Sequence, residues 1–231
     1  MSLRTKFFNV QRPHVIFVHI PKTAGTSVSN LLCDIGATKP KPFLSSALIG
    51  RREFGKHSCA LEYKNVLGKK FCQAFTFSVV RNSWDWIWSF YRFILFTTIS
   101  PDTGNPWRHN LYPVVKDMNF SAFVDFITLS SGLDELPTAK RMRSYGIKEV
   151  NQFNFLHDNS GQLLVENIFH YENLHSELPN KLRDIGYPLR ELPKINSSVK
   201  ISTYRDAYTP KARDAVASKF EKDIEHFGFS F

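Results

Sequence analysis

The chain has 231 residues, 42% of them hydrophobic, enough for a substantial core, and no linker-like stretch divides it, so one domain over 1–231 is expected. Lys plus Arg exceed Asp plus Glu by 30 to 21, a net charge of +9; this suits nucleic acid, anionic lipid, acidic polysaccharide or a charged nucleotide without choosing among them. Cys33, Cys59 and Cys72 are too few and too irregular for a disulfide framework or zinc ribbon, and no run approaches about 18 apolar residues, so a soluble chain in a reducing cytoplasm is expected.

The run HVIFVHI, residues 14–20, is short, apolar and β-branched, as a strand buried on both faces would be. Val28, Leu31, Leu32 and Ile35 then fall at helical spacing, with Gly36 to end the helix. Residues 39–50 read as loop, and a short helical turn is expected over Ala60 to Leu67. CQAFTFSVV, residues 72–80, reads as a second buried strand. Behind a cap at Asn82 or Ser83, Trp84, Ile87, Trp88, Tyr91 and Leu95 repeat at helical spacing, and Trp84 and Trp88 are expected in the core.

Three prolines, a glycine and several aromatics mark Thr97 to Asn119 as a long functional loop, in which Trp107 is a candidate acceptor contact. Phe120, Phe123, Val124 and Ile127 restore a helical period. The cationic stretch TAKRMRSYG follows; its Lys140, Arg141 and Arg143 read as a solvated face or as part of an anionic acceptor groove. QLLVENIFHY reads as a third strand, Leu174 to Ile185 as a helix broken by Pro179, and Thr209 and Pro210 as the start of a C-terminal helix with Val216, Phe220, Ile224 and Phe227 on one face. Strands alternating with helices predict an α/β fold: a P-loop-like, three-layer arrangement with a central, mainly parallel sheet flanked by helices. Ligands of such sheets bind beyond the carboxyl ends of the strands, so the junctions after residues 20 and 80 should face one crevice.

The first junction, HIPKTAGTS at residues 19–27, has the composition of a phosphate site. A helix start offers backbone N–H groups and a positive dipole end; Lys22, Thr23, Thr26 and Ser27 add charge and hydroxyls, Gly25 permits close approach, and Pro21 presets the turn. The kinase and ATPase pattern G-x-x-x-x-G-K-[ST] is not met, since no glycine lies in residues 17–21. That spacing disfavours magnesium-dependent ATP chemistry, and no metal is expected.

HIPKTAGTS resembles the 5′-phosphosulfate loop of the sulfotransferases that use 3′-phosphoadenosine 5′-phosphosulfate (PAPS), in particular the heparan-uronyl and chondroitin-type carbohydrate branch and its bacterial relatives. VVRNSWDWIWSFY, residues 79–91, resembles the same family's 3′-phosphate motif, an Arg leaving a strand and a Ser eight residues on. Weaker likeness runs through QFNFL, HYENL, LPKINSSVKISTYRDAYTP and DIEHFGFSF, and so covers most of the chain. Ser83 and Trp86 depart from the motif, where the family typically has Pro and often Arg.

The resemblance implies transfer of a sulfuryl group from PAPS to an acceptor hydroxyl, leaving adenosine 3′,5′-bisphosphate (PAP). Pro21, Lys22, Thr23, Ala24, Gly25, Thr26 and Ser27 would cradle the 5′-phosphosulfate, Arg81 and Ser89 would hold the 3′-phosphate, and Lys200, Ser202, Tyr204 and Arg205 would close over the nucleotide. Lys22 would stabilise charge on the bridging oxygen and His57 would be the general base, with His19 as rival and Glu53 or Glu62 less favoured. A glycan hydroxyl is the leading acceptor, with lipid and small-molecule hydroxyls open. Two other readings stand beside it: a P-loop nucleotide kinase or NTPase, and a PAPS- or PAP-binding protein without catalysis. Specific nucleic-acid binding is not expected, since no recognition motif accompanies the charge.

Overall fold

A computed structural model describes residues 12–38, 57–96, 98–99, 106–129, 133, 136–195 and 203–231. The elements in chain order are β1 (Val15–Val18), α1 (Gly25–Asp34), α2 (Ala60–Leu67), α3 (Lys69–Cys72), β2 (Phe75–Val80), α4 (Ser83–Leu95), β3 (Thr98–Ile99), β4 (Pro106–Trp107) and α5 (Tyr112–Val115). Then come α6 (Phe120–Leu129), α7 (Pro137–Arg143), α8 (Gln152–Leu156), β5 (Asn167–His170), α9 (Leu174–Asp184), a 3-10 turn (Tyr204–Ala207), α10 (Pro210–Lys219) and α11 (Glu221–Phe227).

Strands β1, β2 and β5 form a parallel sheet in the order β1-β2-β5, with Val18 opposite Ser78 and Val80 opposite His170. Side chains alternate across a strand, which sorts β2 between two cores. Phe75, Phe77 and Val79 pack with Val28, Leu31 and Leu32 of α1 and Leu174, Leu178 and Leu182 of α9. On the opposite face, Ile16, Val18 and Val80 join α4, α6, α8 and α10 through Ile87, Phe123, Phe155 and Val216. The result is a three-layer α/β fold. All three strands end on the same side, so the segments after Val18, Val80 and His170 are neighbours.

Two polar side chains of β2 are buried and satisfied within the sheet. Ser78 donates to the Val18 carbonyl at 2.7 Å, and Thr76 accepts the Glu166 N–H at 3.0 Å. These bonds help set the β1-β2 and β2-β5 pairings in register.

Several boundaries differ from the sequence expectation. Cys72 closes α3, and the second strand begins only at Phe75. In α4 the buried face is Trp84, Trp86, Ile87, Phe90 and Ile94, so Trp86 also enters the core, and Trp88 packs against it partly buried. Helix α9 runs unbroken through Pro179. An interior proline costs about 3 kcal/mol, and burial of Leu174, Leu178 and Leu182 against the sheet outweighs it. The C-terminal helix is two, parted at Phe220 (φ −112°, ψ 28°), whose ring is buried. Residues 39–50 lie outside the described residues. The 97–119 stretch, expected as a long functional loop, contains the antiparallel β3-β4 pair and α5.

Asp223 of α11 joins this end of the molecule to the sheet. Its buried carboxylate accepts the backbone N–H groups of Gln152 at 3.0 Å and Phe153 at 2.7 Å, capping α8 from outside. Burial pushes its carboxyl up to about 7, against the lowering effect of these bonds. The native state therefore holds the proton more tightly than the unfolded chain. The resulting stabilisation is full below the ordinary carboxylate range and is lost as pH rises to about 7. Asp223→Asn, which turns an amide N–H toward one of the two donors, should lose about 1–3 kcal/mol in urea unfolding. Its deficit relative to wild type should narrow between about pH 4 and pH 7. A deficit independent of pH would show that Asp223 does not titrate in that window.

Candidate functional site

The segment between β1 and α1 has the backbone pattern of an anion nest. Lys22 and Ala24 are left-handed, at φ 66° and 64°, while Thr23 and Gly25 keep negative φ. This alternation turns successive N–H groups into one concavity, a nest for an anion. Each left-handed L-residue costs roughly 1–2 kcal/mol, strain of the kind found at ligand sites. Thr23, fully buried, donates its hydroxyl to the Ile20 carbonyl at 2.8 Å and braces the turn. Helix α1 has no side-chain cap and no acidic residue in its first turn, so its dipole end meets the nest unneutralised by a carboxylate. Thr26 is exposed and Ser27 is buried.

Gly25 is needed for room rather than for φ. A Cβ there would lie 1.6 Å from Nε2 of His19. The His19 ring is buried, stacked on Phe17 at 5.2 Å and tilted against His57 at 4.5 Å. The histidine that ends the strand thus lies against the phosphate loop.

At the second junction Arg81 is held from several directions. Nε donates to Asp85 at 2.7 Å, Nη1 donates to the Lys22 carbonyl at 3.1 Å, and the guanidinium lies 4.2 Å over Tyr171. Its backbone is clasped by Gln152, whose Oε1 accepts the Arg81 N–H at 2.8 Å while its Nε2 donates to the Arg81 carbonyl at 2.7 Å. Asn82 caps α4 by accepting the Trp84 N–H. Asp85, Ser89 and Phe93 follow at i, i+4 and i+8, placing half-buried Ser89 on the helix face that meets Arg81. The same row reaches Lys22, whose Nζ lies 3.8 Å over the Phe93 ring. Trp86 donates Nε1–H to the Pro21 carbonyl at 2.7 Å and pins the loop from the core side.

The third group lies just before α2. His57 Nδ1 is 3.1 Å from the His19 carbonyl. A carbonyl only accepts, so Nδ1 carries the proton and Nε2 is the acceptor of the neutral ring. That is the tautomer a general base requires. Glu62, the weaker candidate, is buried and bonded to Nε of Arg141 at 3.2 Å; burial pushes its carboxyl up, against Ser58 and Arg141. Arg141 is thereby committed to Glu62. Glu53 lies outside the described residues.

Of the late segment, Lys200 and Ser202 lie outside the described residues. Tyr204 packs near α4: burial raises its phenol, and Asp85 raises it further against Arg205. Arg205 lies over Tyr204 at 4.8 Å and over Phe231 at 5.9 Å. On the other flank, partly exposed Trp107 meets Phe93 at 5.8 Å and His109 at 6.1 Å.

The structure therefore brings Lys22, the nest, Arg81, His19 and His57 together, with Ser89 and Tyr204 alongside. Asp85 and Phe93 were missed in the sequence, although their spacing from Arg81 and Ser89 was visible. Gln152 and His109 were also missed as site residues: the QFNFL likeness did not point to a contact with Arg81, and no local signal marks His109. With the His19 ring enclosed, Gly25→Ala should destabilise the fold by about 1–3 kcal/mol in urea unfolding, and adding His19→Ala should recover most of the loss. A Gly25→Ala protein as stable as wild type would mean that the ring does not rest on the loop.

Among the described residues, no helix is long and apolar enough to cross a membrane. No curated protein and no solved structure matches the chain. The model of the Sulfotransferase family does match, over residues 5–230, which include the nest, Arg81 and the late segment. The chain belongs to the sulfotransferase family.

Proposed function

We propose that residues 1–231 form one sulfotransferase domain that takes its sulfuryl group from PAPS and passes it to an acceptor hydroxyl, with a glycan as the leading acceptor. The observation that carries this reading is the pairing of the nest at Lys22–Gly25 with Arg81, joined through the Lys22 carbonyl at 3.1 Å. A donor with phosphate groups at both its 5′ and 3′ ends needs two such anion sites side by side.

The residues present fit that donor. Backbone N–H groups over 23–27, with the hydroxyls of Thr26 and Ser27, suit the 5′-phosphosulfate. Arg81, flat on Tyr171 and oriented by Asp85, presents the rest of its guanidinium fork to the 3′-phosphate beside Ser89. Tyr204 and Arg205, with Lys200 and Ser202, would cover the nucleotide. The bound donor supplies an activated sulfur whose bond to the bridging oxygen breaks during transfer.

His57 takes the acceptor hydroxyl's proton at Nε2, while Nδ1–H stays on the His19 carbonyl and stabilises the imidazolium. Lys22 places its ammonium where charge develops on the leaving oxygen, exchanging the face of Phe93 for a full anion. Exposed Trp107, beside Phe93, offers an apolar ring face for a sugar.

Calorimetry with PAP, ADP and ATP in the absence of magnesium tests the donor. PAP should bind and ADP should not; Arg81→Lys, which keeps the charge but not the fork, should weaken PAP by at least about tenfold. ATP binding as tight as PAP would overturn the reading in favour of a nucleotide kinase or NTPase. Once an acceptor is found by screening with PAPS, His57→Ala should lower kcat by about 100-fold or more with PAP affinity retained. An unchanged kcat would remove His57 as the base.

A further inference from the structure

His109 lies beside the transfer site and has no role in the scheme above. The ring is half-buried and enclosed by aromatics: Phe90 at 5.6 Å, Phe93 at 5.6 Å and Trp107 at 6.1 Å. Phe93 also carries Lys22 over its ring, with Nζ at 3.8 Å. The lysine of the phosphate loop and this imidazole therefore share one aromatic neighbour.

Its protonation state is set by the backbone. The Leu111 N–H donates to Nδ1 at 3.1 Å, so Nδ1 is an acceptor and the neutral ring carries its proton on Nε2. Burial, and then the charge of Lys22, push its pKa down and keep the ring neutral. His57 is the reverse case, with Nδ1–H donating to a carbonyl and Nε2 accepting. The site holds two imidazoles in opposite tautomers, one able to take a proton and one able only to donate a hydrogen bond. Among the described residues nothing accepts from Nε2 of His109.

Resting on the PAPS reading above, we infer that His109 is a neutral hydrogen-bond donor to the sulfuryl group, its Nε2–H meeting a non-bridging sulfuryl oxygen beside Lys22. The sulfuryl group carries its charge on such oxygens through the transfer. A fixed, uncharged donor stabilises them without adding a second proton source that competes with His57.

The contact predicts a difference between PAPS and PAP, which differ only by the sulfuryl group. His109→Asn keeps an acceptor for the Leu111 N–H and deletes the Nε2–H; His109→Gln places an amide N–H near the Nε2 position. By calorimetry, His109→Asn should weaken PAPS about tenfold and leave PAP within about twofold of wild type, and His109→Gln should recover much of the loss. In 15N-labelled wild type, the His109 Nε2 resonance should shift with PAPS and much less with PAP. Equal losses for both ligands in His109→Asn, or no loss for either, would overturn the inference, as would an Nε2 resonance silent to PAPS. If wild type binds PAP but His109 fails these tests, the inference alone falls. If wild type binds neither ligand, the PAPS reading falls with it.

Discussion

Arg81 leaves the central strand beside the loop that follows β1, and most of the surrounding structure depends on its restraint. Gln152 binds both its N–H and its carbonyl, as a neighbouring strand would, at a point where β2 has run out of sheet partners. Asp223 holds the backbone of Gln152 in turn, so the C-terminal helix reaches the sheet through two buried polar side chains. On its other side Arg81 donates to the carbonyl of Lys22. The distance between Arg81 and the loop after β1 is therefore set by short hydrogen bonds among buried or half-buried groups, where they are stronger than in water.

The loop after β1 gains its shape at a cost. Two left-handed L-residues are strained, and they persist because Thr23, Trp86 and Arg81 each bond a neighbouring carbonyl, those of Ile20, Pro21 and Lys22. Three consecutive carbonyls are thus turned inward and held. Gly25 is part of the same device, since any larger residue would displace the His19 ring whose backbone carbonyl orients His57.

The aromatic residues are arranged by the same logic. Phe93 carries Lys22 on its ring, and His109 and Trp107 stand at its edge. A lysine on a ring face keeps its charge at modest desolvation cost and can leave for an anion. The imidazoles of His57 and His109 are each fixed at Nδ1 by a backbone group of opposite kind, a carbonyl for one and an N–H for the other.

The sequence by itself determined the three-strand α/β alternation, a cap at Asn82 or Ser83 that the fold places at Asn82, the helix over Ala60 to Leu67 and the two strand-to-helix junctions at residues 19–27 and 81–83, because each is encoded within a few consecutive residues by period, capping or glycine placement. Where packing competes with local preference the reading failed. Pro179 stayed helical because three leucines anchor α9; Trp86, whose indole bonds Pro21, joined the core beside a partly buried Trp88; and the last helix split at a buried Phe220. The contacts that complete the site lie far apart in the chain: Gln152 is 71 residues from Arg81, and His57 is 38 from His19. Only the tertiary structure decided these, since a hydrogen bond between distant residues leaves no periodic trace, and a histidine's tautomer depends on which carbonyl or N–H the fold brings against it.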